Sequence, residues 1–331
     1  MNVRRVPYLI AEIGVNHDGD VVRAEAMVRE SARAGFDAVK FQYWIAEELL
    51  ADEAPTAEYQ GDGDQRALLE PLELAPEALV VLREVAHEVG VDFAVTADGV
   101  RALDDVVAMG PDFLKVGSGD ADNPWLLDAV ARAGLPTVLS VGMSVDEEID
   151  WMVRRLAPVD DLVVLHCVSA YPTPLAESNL GRIPHLAALT GRPVGLSDHT
   201  MGSAAGAAAV ALGAVVVEKH VTWDVSAAGP DHAMSLGLDR AGAWVDQLRG
   251  IGASLRNPVA SVAEGGNRLV VRKALLARRD LPAGHRLGTD DLEPKRPLLD
   301  GIPARARDEV VGRSVLRDVS AGSRLTWDDL G

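Results

Sequence analysis

The chain has 331 residues, of which 48% are hydrophobic, 25% charged and only 4% aromatic, the balance of a globular protein with an aliphatic core and enough length for one large domain and a small one. A net charge of −18 argues against nucleic acid or anionic membrane as a partner, because both demand clustered basic residues, and no run nears the roughly 18 apolar residues of a membrane span. One cysteine, Cys167, excludes an intrachain disulfide framework and reads as a small buried residue in an apolar strand. With an opening segment broken by Glu12 and lacking a small-residue cleavage site, the expected location is cytoplasmic.

Short aliphatic runs alternate with amphipathic stretches eight times, which predicts repeated βα units and a parallel sheet. The predicted strands cover residues 8–13, 37–42, 91–96, 112–117, 136–141, 161–167, 193–198 and 214–220. Between them Val21 to Ala34, Pro76 to Val89 and Ser203 to Leu212 read as helices, with Gly35, Gly90 and Gly213 ending them. Eight units in about 255 residues predict a closed (β/α)8 TIM barrel, and no GxGxxG turn follows the first strand to support an open doubly wound sheet.

After the second strand, Tyr43 to Glu73 forms a long acidic insertion of the kind that serves as a substrate lid. The periodicity lapses near 256–268, which sets the expected division: a barrel over 1–258, a linker over 259–268 and a small β-rich domain over 269–331. In that tail two segments each carry a strand, an Ala-Gly turn and a DDL segment, the mark of two related halves.

A barrel carries its site at the C-terminal ends of its strands, so the polar residues there matter most. In chain order they are Glu12, Asn16 and His17; Lys40 and Gln42; Thr96; Lys115, Ser118 and Asp120; Ser140; His166 and Ser169; Ser197, Asp198 and His199; Glu218, Lys219 and His220. An apolar interior does not tolerate so many ionisable groups without partners, so the set points to a site. Only five of the 32 basic residues are lysines, and Lys40, Lys115 and Lys219 all fall at strand ends.

His199 and His220 end neighbouring strands, where two imidazoles can serve either as hydrogen-bonded structural groups or as ligands of one divalent ion. Two nitrogens with water and substrate oxygens suit Mn²⁺ and admit Mg²⁺, Zn²⁺ or Co²⁺, and such an ion polarises an aldehyde oxygen. Lys40 and Lys115 with the hydroxyls of Thr96, Ser118, Ser140 and Ser197 can hold a phosphate, although each hydroxyl can equally cap the helix that follows it. Strand alternation turns Lys219 away from Glu218 and His220 and leaves it outside the site.

The segments AEIGVNHDGD (11–20), DAVKFQ (37–42), FLKVGSGD (113–120), LSVGMS (139–144), LHCVSAYPTP (165–174), VGLSDHTMG (194–202), VVVEKHVTWD (215–224) and GPDHAMSL (229–236) together resemble the sialic acid synthase barrel, and the tail resembles the antifreeze-like (SAF) domain appended to it. The resemblance implies an N-acetylneuraminate synthase-like transferase. Carbon 3 of phosphoenolpyruvate attacks the aldehyde of an N-acetylmannosamine-like amino sugar, water adds at carbon 2, and phosphate leaves. It implies His199 and His220 as metal ligands, and Lys40, Thr96, Lys115, Ser118, Ser197 and Ser140 as phosphoenolpyruvate contacts. Glu12, Gln42, Tyr171 and Asp231 would face the sugar or the chemistry beside it.

Arg296 falls where the family sends an arginine from one subunit into the site of the other, implying a domain-swapped homodimer. Asp120 stands where the family has Glu, Ser169 where it has Asn, Val141 where it has Thr, and TADGV (96–100) replaces a TPF segment. These departures leave open a diacetamido-trideoxy hexose of the legionaminic or pseudaminic type, or a more specialised aldehyde, as acceptor. A Schiff-base aldolase with Lys115 or Lys40 as nucleophile is the enzymatic alternative, and a non-catalytic binding protein is the other.

Overall fold

The computed structural model describes residues 7–51, 64–256, 259 and 261–331, which form two compact units, Met1–Arg256 and Asn257–Gly331. In the first unit eight parallel strands follow one another in sheet order: β1 (Tyr8–Gly14), β2 (Ala38–Trp44), β3 (Asp92–Asp98), β4 (Phe113–Val116), β5 (Thr137–Ser140), β6 (Leu162–His166), β7 (Val194–Asp198) and β8 (Val216–Thr222). Pairing of β1 with β8 closes the cylinder, with Glu12 opposite His220. The predicted (β/α)8 barrel is what the chain forms. A two-residue strand, β9 (Leu236–Gly237), adds to the end of β8.

Capping chemistry fixes the helices where the sequence places them. Asp20 accepts from the amides of Val22 and Arg23 at the start of the helix Val21–Ala34, and Gly35, at φ 95°, ends it in the left-handed region that glycine enters without strain. The helices Pro76–Val89 and Ala204–Ala211 match expectation to within a residue at each end.

Strand alternation then sorts the side chains into two cores. Inward residues Tyr8, Ile10, Ala38, Ala94, Phe113, Val138, Val163, Leu165 and Val216 fill the lower barrel. Outward residues such as Leu9, Val39, Val95 and Val217 pack under the surrounding helices.

The second unit has its own core, including Leu275, Leu281, Ile302, Val310 and Leu325. Its antiparallel strands β10 (Ala274–Ala277) and β11 (Leu292–Lys295) pair directly. The two halves seen in the sequence answer each other. Asp280 accepts from the amide of Ala321, and Asp318 from that of Ala283. Asp291 and Asp329 each accept from the start of their own 3-10 turn, at Gly288 and Thr326, and pair with Arg279 and Arg317.

Where a linker was expected, Gly265–Val271 is a short, mostly exposed helix. Its two leading glycines weaken the helical signal, which is why the sequence reads there as a break in periodicity.

Candidate active site

The inward positions of the lower barrel, apolar throughout, become polar one step up the strands. Glu12, Lys40, Thr96, Lys115, Ser140, Ser197 and Glu218 follow Ile10, Ala38, Ala94, Phe113, Val138, Gly195 and Val216 at intervals of two, so they share the barrel interior at the C-terminal end. They line a cavity of ≈ 590 Å³ together with Gln42, Ser118, Asp120, Ser169, Tyr171, His199 and His220. Asp231 lies beside it, in a smaller recess shared with Gln42, Tyr171 and His220.

Two ammonium groups and two carboxylates form the floor. Lys40 Nζ lies 2.6 Å from Glu12 Oε2, 4.0 Å from Glu218 Oε2, and donates to Thr96 Oγ1 at 2.6 Å. Lys115 Nζ donates to Glu218 Oε1 at 3.3 Å, and Ser197 Oγ donates to the same oxygen at 2.9 Å. Gln42 Nε2 donates to Glu12 Oε1 at 3.0 Å.

Burial opposes the charge on Glu218, yet Lys115 and Lys40 together outweigh it and hold the carboxyl down at about 2. Burial likewise opposes the charge on Lys40, and Glu12 with Glu218 more than restore it, raising the ammonium above its usual range. The floor is therefore a cluster of paired charges in which Lys40 is favoured in its protonated form, while burial raises Glu12 above its ordinary carboxylate range.

The histidines form one wall. Their ring centroids are 5.7 Å apart, and the Tyr171 ring lies tilted against His199 with centroids 4.3 Å apart. His199 Nδ1 lies 2.8 Å from the carbonyl of Val168, so that nitrogen donates and Nε2 keeps its lone pair, 3.4 Å from Ser197 Oγ. Burial pushes His199 down to about 4; burial and then the neighbouring His199 push His220 well below the usual imidazole range. Burial thus favours the neutral form of both rings.

His220 Nδ1 is buried without a hydrogen-bond partner among the described residues, 3.6 Å from Asp231 Oδ2. Two neutral imidazoles, one with an unmatched buried nitrogen, suit a divalent ion bound by two protein nitrogens. Among the described residues no three His, Cys, Asp or Glu side chains form a fuller cage.

The opposite wall depends on a close approach. Ser118 Oγ accepts from the amide of Gly142 at 2.9 Å and touches Cys167 Sγ at 3.1 Å. A Cβ on Gly142 would stand 2.6 to 2.9 Å from the tips of Ser169, Cys167 and Ser118, so only glycine lets these three meet. Ser140 Oγ, another lining atom, is buried without a hydrogen-bond partner among the described residues. At the rim, Asp98 is raised to about 7 by burial and then by Asp120.

Several strand-end residues serve elsewhere. Asn16 donates to the carbonyl of Val221 and to Ser235 Oγ, tying β1 to β8. His17 accepts from the amide of Gly19. His166 points outward and bonds the carbonyl of Ser178, leaving Cys167 in the inward place. Asp198 faces out with Lys219, as alternation requires. Trp44, Leu49, Gln65 and Leu69, at the two ends of the acidic insertion, line the cavity, while its middle, 52–63, lies outside the described residues. Arg296 is an exposed residue of the second unit, just after β11.

Glu218, named among the strand-end groups, and Asp98, absent from them, are cavity residues to which the sequence reading gives no role. Each shares strand parity with a residue that it did carry, His220 and Thr96, and that parity is the signal that identifies them.

A closed α/β barrel that gathers its buried charge at the C-terminal mouth belongs to the class in which that mouth is the working end. Residues 27–259 match the model of the NeuB family and residues 272–331 that of the SAF domain. The chain belongs to the NeuB family. It is 34% identical over 338 residues to the N,N'-diacetyllegionaminic acid synthase of Legionella pneumophila, spanning 98% of this chain and 94% of that one. It is 32% identical over 341 residues to the N-acetylneuraminate-9-phosphate synthase of Drosophila melanogaster, spanning 98% and 85%. Among solved structures, the N-acetylneuraminic acid (sialic acid) synthetase of Leptospira borgpetersenii serovar Hardjo-bovis in complex with citrate superimposes with a TM-score of 0.72 at 30% identity, covering 80% of this chain and 90% of that one.

Proposed function

We propose that the chain is a nonulosonic acid synthase. It joins carbon 3 of phosphoenolpyruvate to the aldehyde carbon of an amino sugar, adds water at carbon 2 and releases inorganic phosphate by breaking the carbon–oxygen bond. The observation that carries this reading is a pair of buried ammonium groups, each paired with a carboxylate, lining the same cavity as two adjacent buried imidazoles.

Lys40 and Lys115 supply the charge that holds a phosphate, and Thr96, Ser118, Ser140 and Ser197 surround it with hydroxyls. A substrate oxygen would satisfy the buried Ser140 Oγ. His199 and His220 would hold the divalent ion, Mn²⁺ by preference, which when bound polarises the aldehyde. Glu12, Gln42, Tyr171 and Asp231 lie on the histidine side, where the sugar would meet them. The added water must lose one proton and the aldehyde oxygen must gain one. Asp231, raised to about 7 chiefly by burial and then by Glu12, is suited to hold such a proton.

The same charge balance weighs against a Schiff-base aldolase. That chemistry needs an unprotonated amine, whereas Glu12 and Glu218 favour the charged form of Lys40; for Lys115 as nucleophile, borohydride trapping of pyruvate is the test.

The acceptor is an N-acetylmannosamine-like or diacetamido-trideoxy aldehyde, the second favoured by Ser169, Asp120 and Asp98 in the lining and by the resemblance to a legionaminic acid synthase. With Mn²⁺ present, phosphate release from phosphoenolpyruvate should depend on one such aldehyde, vanish with EDTA and return with Mn²⁺. Release that ignores both chelator and aldehyde would rule the reading out.

We also propose a homodimer in which Arg296 completes the partner's site. Trp125, Met143, Leu175, Met201 and Trp223, all just past β4 to β8 at the cavity end, are large apolar side chains left about half exposed or more, the kind of rim that another protein surface covers. Truncation after residue 262 should raise the KM for the sugar while sparing that for phosphoenolpyruvate. Unchanged sugar kinetics in the truncated chain would remove Arg296 from the site.

A further inference from the structure

Lys219 is among the most deeply buried cations of the chain, at 1% exposure, yet it does not reach the cavity. It sits on β8 between Glu218 and His220 and projects to the opposite side of the strand. Burying an ammonium is costly unless each of its three donors finds an oxygen. Lys219 meets its oxygens on one short segment at the end of β7: it donates to the carbonyls of Asp198, at 3.2 Å, and Thr200, and forms an ion pair with Asp198 Oδ2 at 3.2 Å.

The residue between those two carbonyls is His199. Asp198 Oδ1 also accepts from the amide and hydroxyl of Thr200, at 2.9 and 2.7 Å, so the backbone on either side of His199 is folded around the ammonium. The carbonyl of His199 itself accepts from the amide of Thr173 at 2.9 Å, and its ring is oriented by the carbonyl of Val168. Lys219 is covalently next to His220 and paired in register with Asp198. One side chain thus links the segment that presents His199 to the strand that presents His220.

We infer that Lys219 is a positioning residue for the divalent-ion site: its ammonium fixes the spacing of His199 and His220 from behind the strands, touching neither imidazole. A methionine of similar length would fill the same space without burying a charge. The charge serves to gather carbonyls of β7 that no apolar side chain can hold. The inference rests on reading His199 and His220 as metal ligands.

The test is Mn²⁺ binding to the full chain, measured by calorimetry without substrates, beside phosphoenolpyruvate binding without metal. Lys219→Met is expected to weaken Mn²⁺ binding about 10- to 100-fold, the usual cost of losing a group that orients metal ligands, while phosphoenolpyruvate affinity holds. Wild-type Mn²⁺ affinity in Lys219→Met overturns the inference, as does an equal loss in both affinities, which would mark a general loosening. Should that variant not fold, Asp198→Asn keeps both carbonyls and removes only the paired charge. It is expected to weaken Mn²⁺ binding in the same direction, and undiminished binding there is equally decisive against the inference. Absence of Mn²⁺ binding by the unmodified chain would instead remove the ligand reading on which it stands.

Discussion

His199→Ala should lose Mn²⁺ binding and at least about a thousandfold in turnover while the barrel stays folded. A Lewis-acid contribution of about 4 kcal/mol, at roughly 1.4 kcal/mol per tenfold in rate, sets that magnitude. Stability should fall by only about 1 to 2 kcal/mol, because the ring's single strong bond, to the carbonyl of Val168, is what the fold loses. His220→Ala should behave alike. The double variant should be no worse than either single one, since two ligands of one ion act as a unit. Kinetics that track the two losses additively, or a single variant with normal activity, would refute the shared ion.

Glu218→Gln is expected to cost about 3 kcal/mol of stability at pH 7, because it leaves Lys115 with no carboxylate within ion-pair range among the described residues and forces Lys40 to rely on Glu12. The pH dependence has a definite sign. With its folded value depressed to about 2, Glu218 stabilises the fold fully above its ordinary carboxylate range and loses that contribution as pH falls through about 2. The gap between wild type and variant should therefore be widest near neutrality and close in acid. Inorganic phosphate should stabilise the variant more than the wild type, because it returns the missing negative charge to the lysines. Equal unfolding midpoints at pH 7 would show that the cluster is not balanced in this way.

The eight-strand pattern was legible because each strand is a short aliphatic run flanked by helix caps and glycine stops, and local chemistry alone decides those features. The convergence of His199 with His220 was legible only through barrel topology, which makes β7 and β8 neighbours. Strict alternation explains both a success and two residues left without a role. It turned Lys219 outward, and the same argument turns Glu218 inward with His220 and puts Cys167, not His166, on the cavity side of β6.

What no local pattern encodes is reach across the barrel. Lys115 meets Glu218 four strands away, and Lys40 chooses Glu12 over Glu218 by little more than an ångström. Such pairings depend on strand stagger and side-chain length together. The glycine at 142 belongs to this kind too, since its necessity comes from three side chains contributed by two other strands.

On the proposed function, the lysine floor holds a phosphate that departs with its bridging oxygen while the histidine wall presents an aldehyde. Phosphoenolpyruvate carrying ¹⁸O in the bridge between carbon 2 and phosphorus reports which bond breaks. With Mn²⁺ and a productive amino-sugar aldehyde, the label should leave in inorganic phosphate and the new acid should carry none of it. Retention of the label in the acid would mean that the phosphorus–oxygen bond breaks instead, contradicting water addition at carbon 2 and the roles assigned to Lys40 and Lys115.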